Sequence, residues 1–407
     1  MNTGGPRESS CAAPLRGASA LIAVAGVIAC VACVARAQWT VTKLNADGEY
    51  AFVRDVFAGQ QVGQTAPFGQ YHASVWSGTP QSLVDLHPAW AVQSFAADVF
   101  AGQQVGYVRV GSDELAGYWR GTADSWVSLH PAGATHSYAS GVWEGRQVGS
   151  VLIDGERHAS LWNGDARSWV DLHPAGATRS GAGAIHEGQQ VGSAMIDGSE
   201  HASLWAGSAA SWVDLHPPGA VMSFAHGVYG GQQVGSAEFG WLNHAILWRG
   251  TPESLVDLNP SFADYSVAWD VHDGWQAGVS TVIVNAEFDE HRAGVWHGSA
   301  ESWEELPNPF DGALVASRAF GIWSDGETLY VVGSAWSFPP ERSAALLWSR
   351  PIGCRADFNG DGSIDTRDAV AFLNAWAAGD ARADFNDDGM IDSRDVTAFL
   401  NAWNAGC

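Results

Sequence analysis

The pentapeptide Gly59-Gln60-Gln61-Val62-Gly63 returns at 102–106, 145–149 (with Arg146), 188–192 and 231–235. Its closing glycine falls at 63, 106, 149, 192 and 235, a constant step of 43 residues. A degenerate copy, Gly274-Trp275-Gln276-Ala277-Gly278, keeps that step, and Tyr330-Val331-Val332-Gly333 follows 55 residues later. Three further landmarks recur in phase. A Trp stands at 76, 119, 162, 205, 248, 296 and 348, within His-Ala-Ser-Leu-Trp at 158–162 and 201–205. Ser-Trp-Val-Asp-Leu-His-Pro occupies 168–174 and 211–217, with variants at 82–88, 125–131 and 254–260. A Ser-x-Ala pattern places Ala at 96, 139, 182, 225, 268 and 319. That makes seven units, and a repeated unit of this size buries its apolar faces against its neighbours.

Each unit carries four short β-like runs between turn signals. In the third these are 137–143, 147–153, 158–162 and 168–172, punctuated by Glu144-Gly145, Asp154-Gly155 and Asn163-Gly164-Asp165. Four strands in about 43 residues is the size of a propeller blade. The small Ser-x-Ala suits the crowded strand beside the axis, and Trp and Leu suit the wider gaps between blades. The seventh unit ends at Leu347-Trp348-Ser349 without its outer run, while Gln38-Trp39-Thr40-Val41-Thr42-Lys43-Leu44-Asn45 looks like that missing strand. A ring sealed in this way leaves no open sheet edge. The expectation is a mainly β protein, a seven-bladed propeller closed by its N-terminal strand. Another repeat-β arrangement is the alternative.

Residues 50–348 resemble the HAF-type extracellular repeats of bacteria, with their Ser-x-Ala…Gly-x-Val-Val-Gly…His-Ala-Phe-Leu-Trp pattern. This chain has His-Ala-Ser for His-Ala-Phe, and Asp-Leu-His-Pro where relatives often have Asp-Leu-Gly. The resemblance implies a fold and carries no agreed enzymatic activity.

Repetition also bears on catalysis. Nine of 14 histidines are repeat-locked: His72, His158, His201, His244 and His291 before the inner Trp, and His87, His130, His173 and His216 before Pro. An active site uses one acid or one nucleophile, not one per blade. These residues, with Asp85, Asp171, Asp214 and Asp257, are expected to make structural hydrogen bonds. No nucleophile elbow, His-Glu-x-x-His or P-loop occurs. The sixth unit holds five extra residues around Glu287, Asp289, Glu290 and His291, where a paired-carboxylate site competes with a solvated acidic hairpin tip. The chain has 20 basic against 44 acidic residues. That balance argues against nucleic acid and anionic membrane surfaces as partners.

At the N-terminus, Arg7 and Arg16 precede an apolar run from Ala18 to Val34, and Ala35-Arg36-Ala37 offers small residues for cleavage after Ala37. Residues 1–37 are therefore expected to be a signal peptide, the mature chain to have no membrane span, and the protein to be secreted or on the cell surface. A single-pass anchor is one alternative; a lipoprotein at Cys30, after Val27-Ile28-Ala29, is another. The propeller is expected over 38–349, a linker over 350–353 and a second domain over 354–407. Beyond the leader only Cys354 and Cys407 remain, and an exported chain with two cysteines bracketing one segment suggests a disulfide.

That segment holds two copies of one motif, 27 residues apart. The first presents Asp357, Asn359, Asp361, Ser363, Asp365 and Asp368 at loop positions 1, 3, 5, 7, 9 and 12; the second presents Asp384, Asn386, Asp388, Met390, Asp392 and Asp395. Positions 1, 3, 5, 9 and 12 are oxygen donors, position 6 is Gly, and position 7 offers its carbonyl, the pattern of a calcium loop. Two Ca2+ sites are expected. Each loop leads into Ala-Phe-Leu-Asn-Ala-Trp, with helices expected over 368–376 and 395–403; Phe372/Trp376 and Phe399/Trp403 form i,i+4 pairs. Asp at position 12 and a single following helix resemble a dockerin, and the Gly-Cys flanks resemble its planctomycete-type variant. The Cys354–Cys407 bond would then clasp the domain's ends, worth about 4 kcal/mol in the chain-entropy model. The resemblance implies a cohesin-like scaffold partner held through Thr366, Arg367, Ser393 and Arg394. The helices lack the Lys/Arg cluster of cellulosomal dockerins, which leaves a typical cohesin in doubt.

The expected function is a secreted, non-enzymatic propeller tethered through the calcium module, presenting a protein- or glycan-binding face. The competing reading is a glycoside hydrolase or lyase in a polysaccharide-degrading assembly. Of 21 Trp, seven fall outside the structural series, and Trp90, Trp143, Trp241, Trp269, Trp275, Trp323 and Trp336 are where a ligand is expected.

Overall fold

The computed structural model describes residues 38–285, 288–310, 314–338, 342–352, 355–359, 364–386 and 388–405. The expected signal peptide with Cys30, the Cys354–Cys407 pair, Glu287, Asp361 and Ser363 lie outside the described residues. The seven units form seven antiparallel four-stranded sheets. In blade 3 the strands are His136–Trp143, Arg146–Ile153, Glu156–Trp162 and Val170–Asp171, paired in sequence order. The outer strand is shorter than its sequence run. A 3-10 turn at Ala166–Ser168 takes up the start, because the Asp165 side chain accepts from the N–H of Arg167 and Ser168.

Blade 7 consists of Leu314–Ser324, Thr328–Phe338, Arg342–Pro351 and the N-terminal strand Thr40–Lys43. The register is Thr40↔Ser349, Val41↔Trp348, Thr42↔Leu347 and Lys43↔Leu346. The expected closure by the N-terminal strand is therefore what the chain adopts. Asn45 completes it: its Oδ1 accepts from Ala345 N at 2.9 Å and its Nδ2 donates to Glu49 O at 2.7 Å.

Seven apolar clusters hold the ring, each made of residues from two adjacent blades. One joins Val62, Ala73, Val75 and Leu86 of blade 1 to Ala96, Val99, Val108 and Trp119 of blade 2. Another joins Leu44, Val332, Ala345 and Leu347 to Val53 and Trp76, across the seam. The seven in-phase Trp are all at most 1% exposed. The outer Trp169 and Trp212 donate to Ser160 and Ser203 at 2.9 Å.

The invariant closing glycine has a steric cause. Every inner strand carries a β-bulge just after its Ala (Val53 in blade 1), opposite this glycine. A Cβ on Gly63, Gly106, Gly149, Gly192, Gly235, Gly278 or Gly333 would lie 1.8–2.1 Å from a carbonyl oxygen of the inner strand. Only glycine allows that approach.

The serine of Ser-x-Ala is equally determined. Buried Ser94, Ser137, Ser180, Ser223, Ser266 and Ser317 accept through Oγ from the backbone N–H of Ala73, Ala116, Ala159, Ala202, Ala245 and Ala293 in the preceding blade, at 2.8–3.0 Å. At the seam, where Ala51 replaces the serine, Asn45 supplies the acceptor.

The C-terminal segment forms helices α1 (Thr366–Ala378) and α2 (Ser393–Ala405), longer at both ends than the sequence expectation. They pack through Phe372 and Phe399, stacked at 4.2 Å with an interplanar angle of 2°. The two motifs cross-brace each other: Trp376 donates to Asp392 O at 2.9 Å, and Trp403 to Asp365 O at 3.1 Å. Among the described residues no helix is long and apolar enough to cross a membrane.

Candidate functional site: an axial bore of non-repeating residues

The repeat-locked histidines are used up in packing, as expected. His72, His158, His201 and His244 bond through Nδ1 to Asp85, Asp171, Asp214 and Asp257 at 2.7–2.9 Å. His87, His130, His173 and His216 meet the bridging serines through Nδ1 at 2.8–2.9 Å. Glu156, His158 and His173 bring three potential metal donors within 4.8 Å of one another. Their chemistry does not favour an ion. Both His173 nitrogens are engaged, by Ser180 Oγ and by Ala177 O at 2.9 Å, and His158 Nδ1 is held by Asp171.

The blades differ along the axis. The bulge turns consecutive residues of the inner strands into one bore, a cavity of about 160 Å³. Its first tier contains Arg54, Ala97, Ser140, Gly183, His226, Trp269 and Phe320. At the second tier blades 1, 2 and 6 carry Asp55, Asp98 and Asp270, while the others carry Gly141, Ala184, Gly227 and Gly321. This level is tight: a Cβ on Gly227 or Gly321 would stand 2.8 Å from the Cα of Asp270 or Asp55.

The third tier is a closed circle of Phe57, Phe100, Trp143, His186, Tyr229, His272 and Trp323. Successive ring centroids are 4.5, 4.2, 4.0, 4.2, 4.1 and 6.3 Å apart, and 5.6 Å closes Trp323 back to Phe57. Aromatic pairs at these spacings attract beyond their buried area. His186 Nδ1 accepts from Gly230 N at 3.3 Å, and His272 Nδ1 from Ser324 N at 3.2 Å. Both rings are thereby fixed as neutral tautomers protonated on Nε2. Burial pushes His186 down to about 4, helped by His272; burial lowers His272 against the pull of Asp273.

Each second-tier carboxylate reaches forward to the next blade. Asp55 accepts from Val99 N at 3.1 Å, Asp98 from Val142 N at 2.6 Å and Asp270 from Ile322 N at 2.9 Å. Burial raises all three above the usual carboxylate range: Asp55 well above it, with Asp98's charge adding, and Asp270 to about 7 against two opposing backbone bonds. Burial also drives His226 down to about 4, so it is neutral. Strongly shifted groups gathered in one cavity mark a functional candidate.

Three of the seven unassigned tryptophans, Trp143, Trp269 and Trp323, line this bore. The others do not. Trp90 and Trp241 are 55% and 94% exposed elsewhere, Trp275 packs under Arg350, and Trp336 under Arg318. Sequence reasoning missed the three aspartates and His226. The signal was present as the columns just after Ser-x-Ala, where the units disagree.

In the sixth unit, Asp289 accepts from Tyr265 Oη at 2.9 Å and Glu290 pairs with Arg292 at 3.0 Å. In the C-terminal loops, the position-12 carboxylates point inward. Asp368 accepts from Asn359 N and Asp365 N, and Asp395 from Phe385, Asn386 and Asp392 N, at 2.7–3.1 Å. Gly389 N donates to Asp384 at 2.9 Å, and Met390 N to Asp388 at 2.9 Å. The position-9 carboxylates Asp365 and Asp392 accept from the first-turn N–H of Arg367 and Arg394 and pair with their guanidinium groups, which lowers both acids. Thr366, Arg367, Ser393 and Arg394 open the two helices, and both arginines are exposed. The described donors are hard oxygens suited to Ca2+.

No protein-family model matches the chain, and no curated protein does. Solved structures resemble it at low identity. An oligogalacturonate lyase from Vibrio parahaemolyticus aligns with TM-score 0.51 and 8% identity over 77% of this chain and 96% of that one. A putative TolB from Agrobacterium tumefaciens gives 0.44 and 9%, over 67% and 99%. A puromycin hydrolase gives 0.46 and 13%, over 73% of this chain; the match spans about half of the hydrolase, 51%. Such likeness carries the fold and not the function. Residues 38–351 are thus a β-propeller by their own topology, and the alignment with the oligogalacturonate lyase agrees with that fold.

Proposed function

We propose that the chain is a secreted binding propeller, tethered to an extracellular scaffold by its calcium-dependent, dockerin-like C-terminal module. The observation that carries the binding role is where the seven units differ. The repeated His, Asp and Ser side chains are consumed in bonds within and between blades, while the aspartates, His226 and three unassigned tryptophans converge on the axis. The alternative enzyme reading loses support because Asp289 and Glu290 are engaged by Tyr265 and Arg292.

The tether rests on the paired loops and their pseudo-twofold bracing by Trp376 and Trp403. Asp357, Asn359, Asp365 and Asp368 with Asp361 and Ser363, and Asp384, Asn386, Asp388, Asp392 and Asp395 with the Met390 carbonyl, would hold one Ca2+ each. Ca2+ would neutralise crowded carboxylates and set the helix openings that carry Thr366, Arg367, Ser393 and Arg394. Calorimetric titration of the full chain with Ca2+ should show two sites. Asp368→Asn combined with Asp395→Asn should abolish both, and EDTA should release the protein from cell envelopes. Absence of calcium heat, or retention insensitive to EDTA, would refute the tether.

A further inference from the structure

In a chain with this acid excess, most arginines are expected to find a carboxylate, and many do: Arg179 with Glu200, Arg292 with Glu290, Arg350 with Glu304. Arg54, Arg109 and Arg157 form no ion pair among the described residues. Arg54 and Arg157 are exposed and lie over aromatic rings instead, Arg54 over Phe52 at 4.7 Å and Arg157 over Tyr138 at 5.4 Å. The buried Nε of Arg109 has no hydrogen-bond partner.

These arginines flank one row of rings that crosses blades 1 to 3 at the Arg54 end of the bore. Tyr50, Tyr71, Phe95, Tyr107 and Tyr138 follow one another at centroid distances of 5.8, 5.4, 4.7 and 5.1 Å. The Tyr107 hydroxyl lies within the electrostatic reach of Arg54, Arg109 and Glu114. Glu114 is itself occupied, accepting from the Tyr138 hydroxyl and lying 3.9 Å from His136. Beyond Tyr138, Arg157 enters a cavity of about 450 Å³ shared with Arg179, Glu200 and Phe224. That volume is in the range of small-ligand sites.

We infer that this row, from Tyr50 to Arg157, binds a carboxylated oligosaccharide, such as a run of uronic acid residues. The inference rests on the propeller's being a binding platform and names the ligand class. The planes of neighbouring rings meet at 60°, 43°, 20° and 78°, so the row offers the exposed face of Tyr50 and the ring edges beyond it to successive sugar rings, and phenolic oxygens to sugar hydroxyls. A guanidinium stacked on a ring keeps its planar fork free for a carboxylate, held bidentately. Charge is what selects this ligand. The chain as a whole repels anions, so only a site with locally unneutralised arginines would retain one. A neutral glycan would not require these arginines. Burial pushes Tyr107 up to about 12, so it stays a hydroxyl donor, while the Tyr138 proton is committed to Glu114 and its oxygen is left to accept.

The test is calorimetry on the full chain with a short polyuronate oligomer, its carboxyl-reduced neutral counterpart, and a single-stranded RNA of similar charge, with EDTA present so that calcium cannot bridge. The polyuronate should bind saturably and the reduced oligomer at least about tenfold more weakly. Arg54→Gln and Arg157→Gln, each first checked by its melting curve to be folded, should each weaken binding about tenfold and flatten its salt dependence. Arg367→Gln, in the C-terminal module, should change nothing. Equal binding of the reduced oligomer, tighter binding of RNA, or undiminished binding by both variants would overturn the site. No binding of any oligosaccharide, by a protein that shows its two calcium sites in a separate titration without EDTA, would refute this ligand class while leaving the tethered platform standing.

Discussion

Replacing Asp270 by Asn should reverse sign with pH. Asp270 lines the bore half-buried, accepting from Val271 N at 2.8 Å and Ile322 N at 2.9 Å. Burial raises its carboxyl from 3.8 to about 7. A raised carboxyl binds its proton more tightly in the folded state than in the unfolded state. Its stabilising contribution is present below the unfolded value and is lost as pH rises through the folded value near 7. That rise corresponds to about 4 kcal/mol as an upper bound. Solvent in the bore screens that to about 2–3 kcal/mol. Asn carries no charge to desolvate, but its single carbonyl replaces one of two backbone acceptors, a loss of about 1 kcal/mol. The variant should therefore be less stable than the parent by about 1 kcal/mol near pH 4 and more stable by about 1–2 kcal/mol near pH 8. For a propeller of this size that swing moves the melting difference by about 5 °C. Thermal melts of both proteins at the two pH values, followed by tryptophan fluorescence, read it directly. A melting difference that does not change with pH would refute the claim that a carboxyl raised by desolvation sits at the axis.

Ser180→Ala leaves Ala159 N and His173 Nδ1 without their shared partner; a denaturant titration should show a loss of about 1–3 kcal/mol, well above that of an exposed serine such as Ser112. Gly149→Ala drives a Cβ to 1.9 Å from Tyr138 O and should cost at least about 3 kcal/mol, visible as loss of soluble protein or of the cooperative melt. Removing residues 38–45 opens the seam, discarding the pairing of Thr40–Lys43 and the buried Leu44; an unchanged melting temperature would contradict closure by that strand.

Much of the fold could be read because propeller repeats write the same steric demand seven times. The closing glycine of each unit faces a carbonyl at under 2.2 Å from a would-be Cβ, so the sequence cannot drift there. Asn45 and Asn259 each follow an outer-strand Leu and do one job, donating to the carbonyl four residues on. The outer strand was over-extended because Ser168 belongs to a 3-10 turn capped by Asp165, a local hydrogen-bond preference that β-periodicity does not register. The bore was only partly legible. Trp143, Trp269 and Trp323 stood out as unassigned, whereas Asp55, Asp98 and Asp270 belong to no motif. Nothing in local sequence says that a bulge places Asp55 and Arg54 together on the axis; that depends on how seven strands converge.

The repeating and non-repeating aspartates show why register separates structure from function here. Asp85, Asp171, Asp214 and Asp257 each lie beside a histidine Nδ1 and keep solvent contact, with side chains 38–53% exposed. They satisfy a neighbour at little desolvation cost. Asp55, Asp98 and Asp270 also accept backbone N–H groups, yet four blades do without any acceptor at the same position, using Gly or Ala. The bond is therefore dispensable to a blade, while the charge is costly to desolvate. Three adjacent costs of this kind, with Asp98 raising both Asp55 and Asp270, work against stability. Structural need accounts for the repeating set. A group that costs stability where its equivalents are absent fits selection for what the bore does, and the pH-dependent sign of Asp270→Asn is the measurement in which that distinction becomes visible.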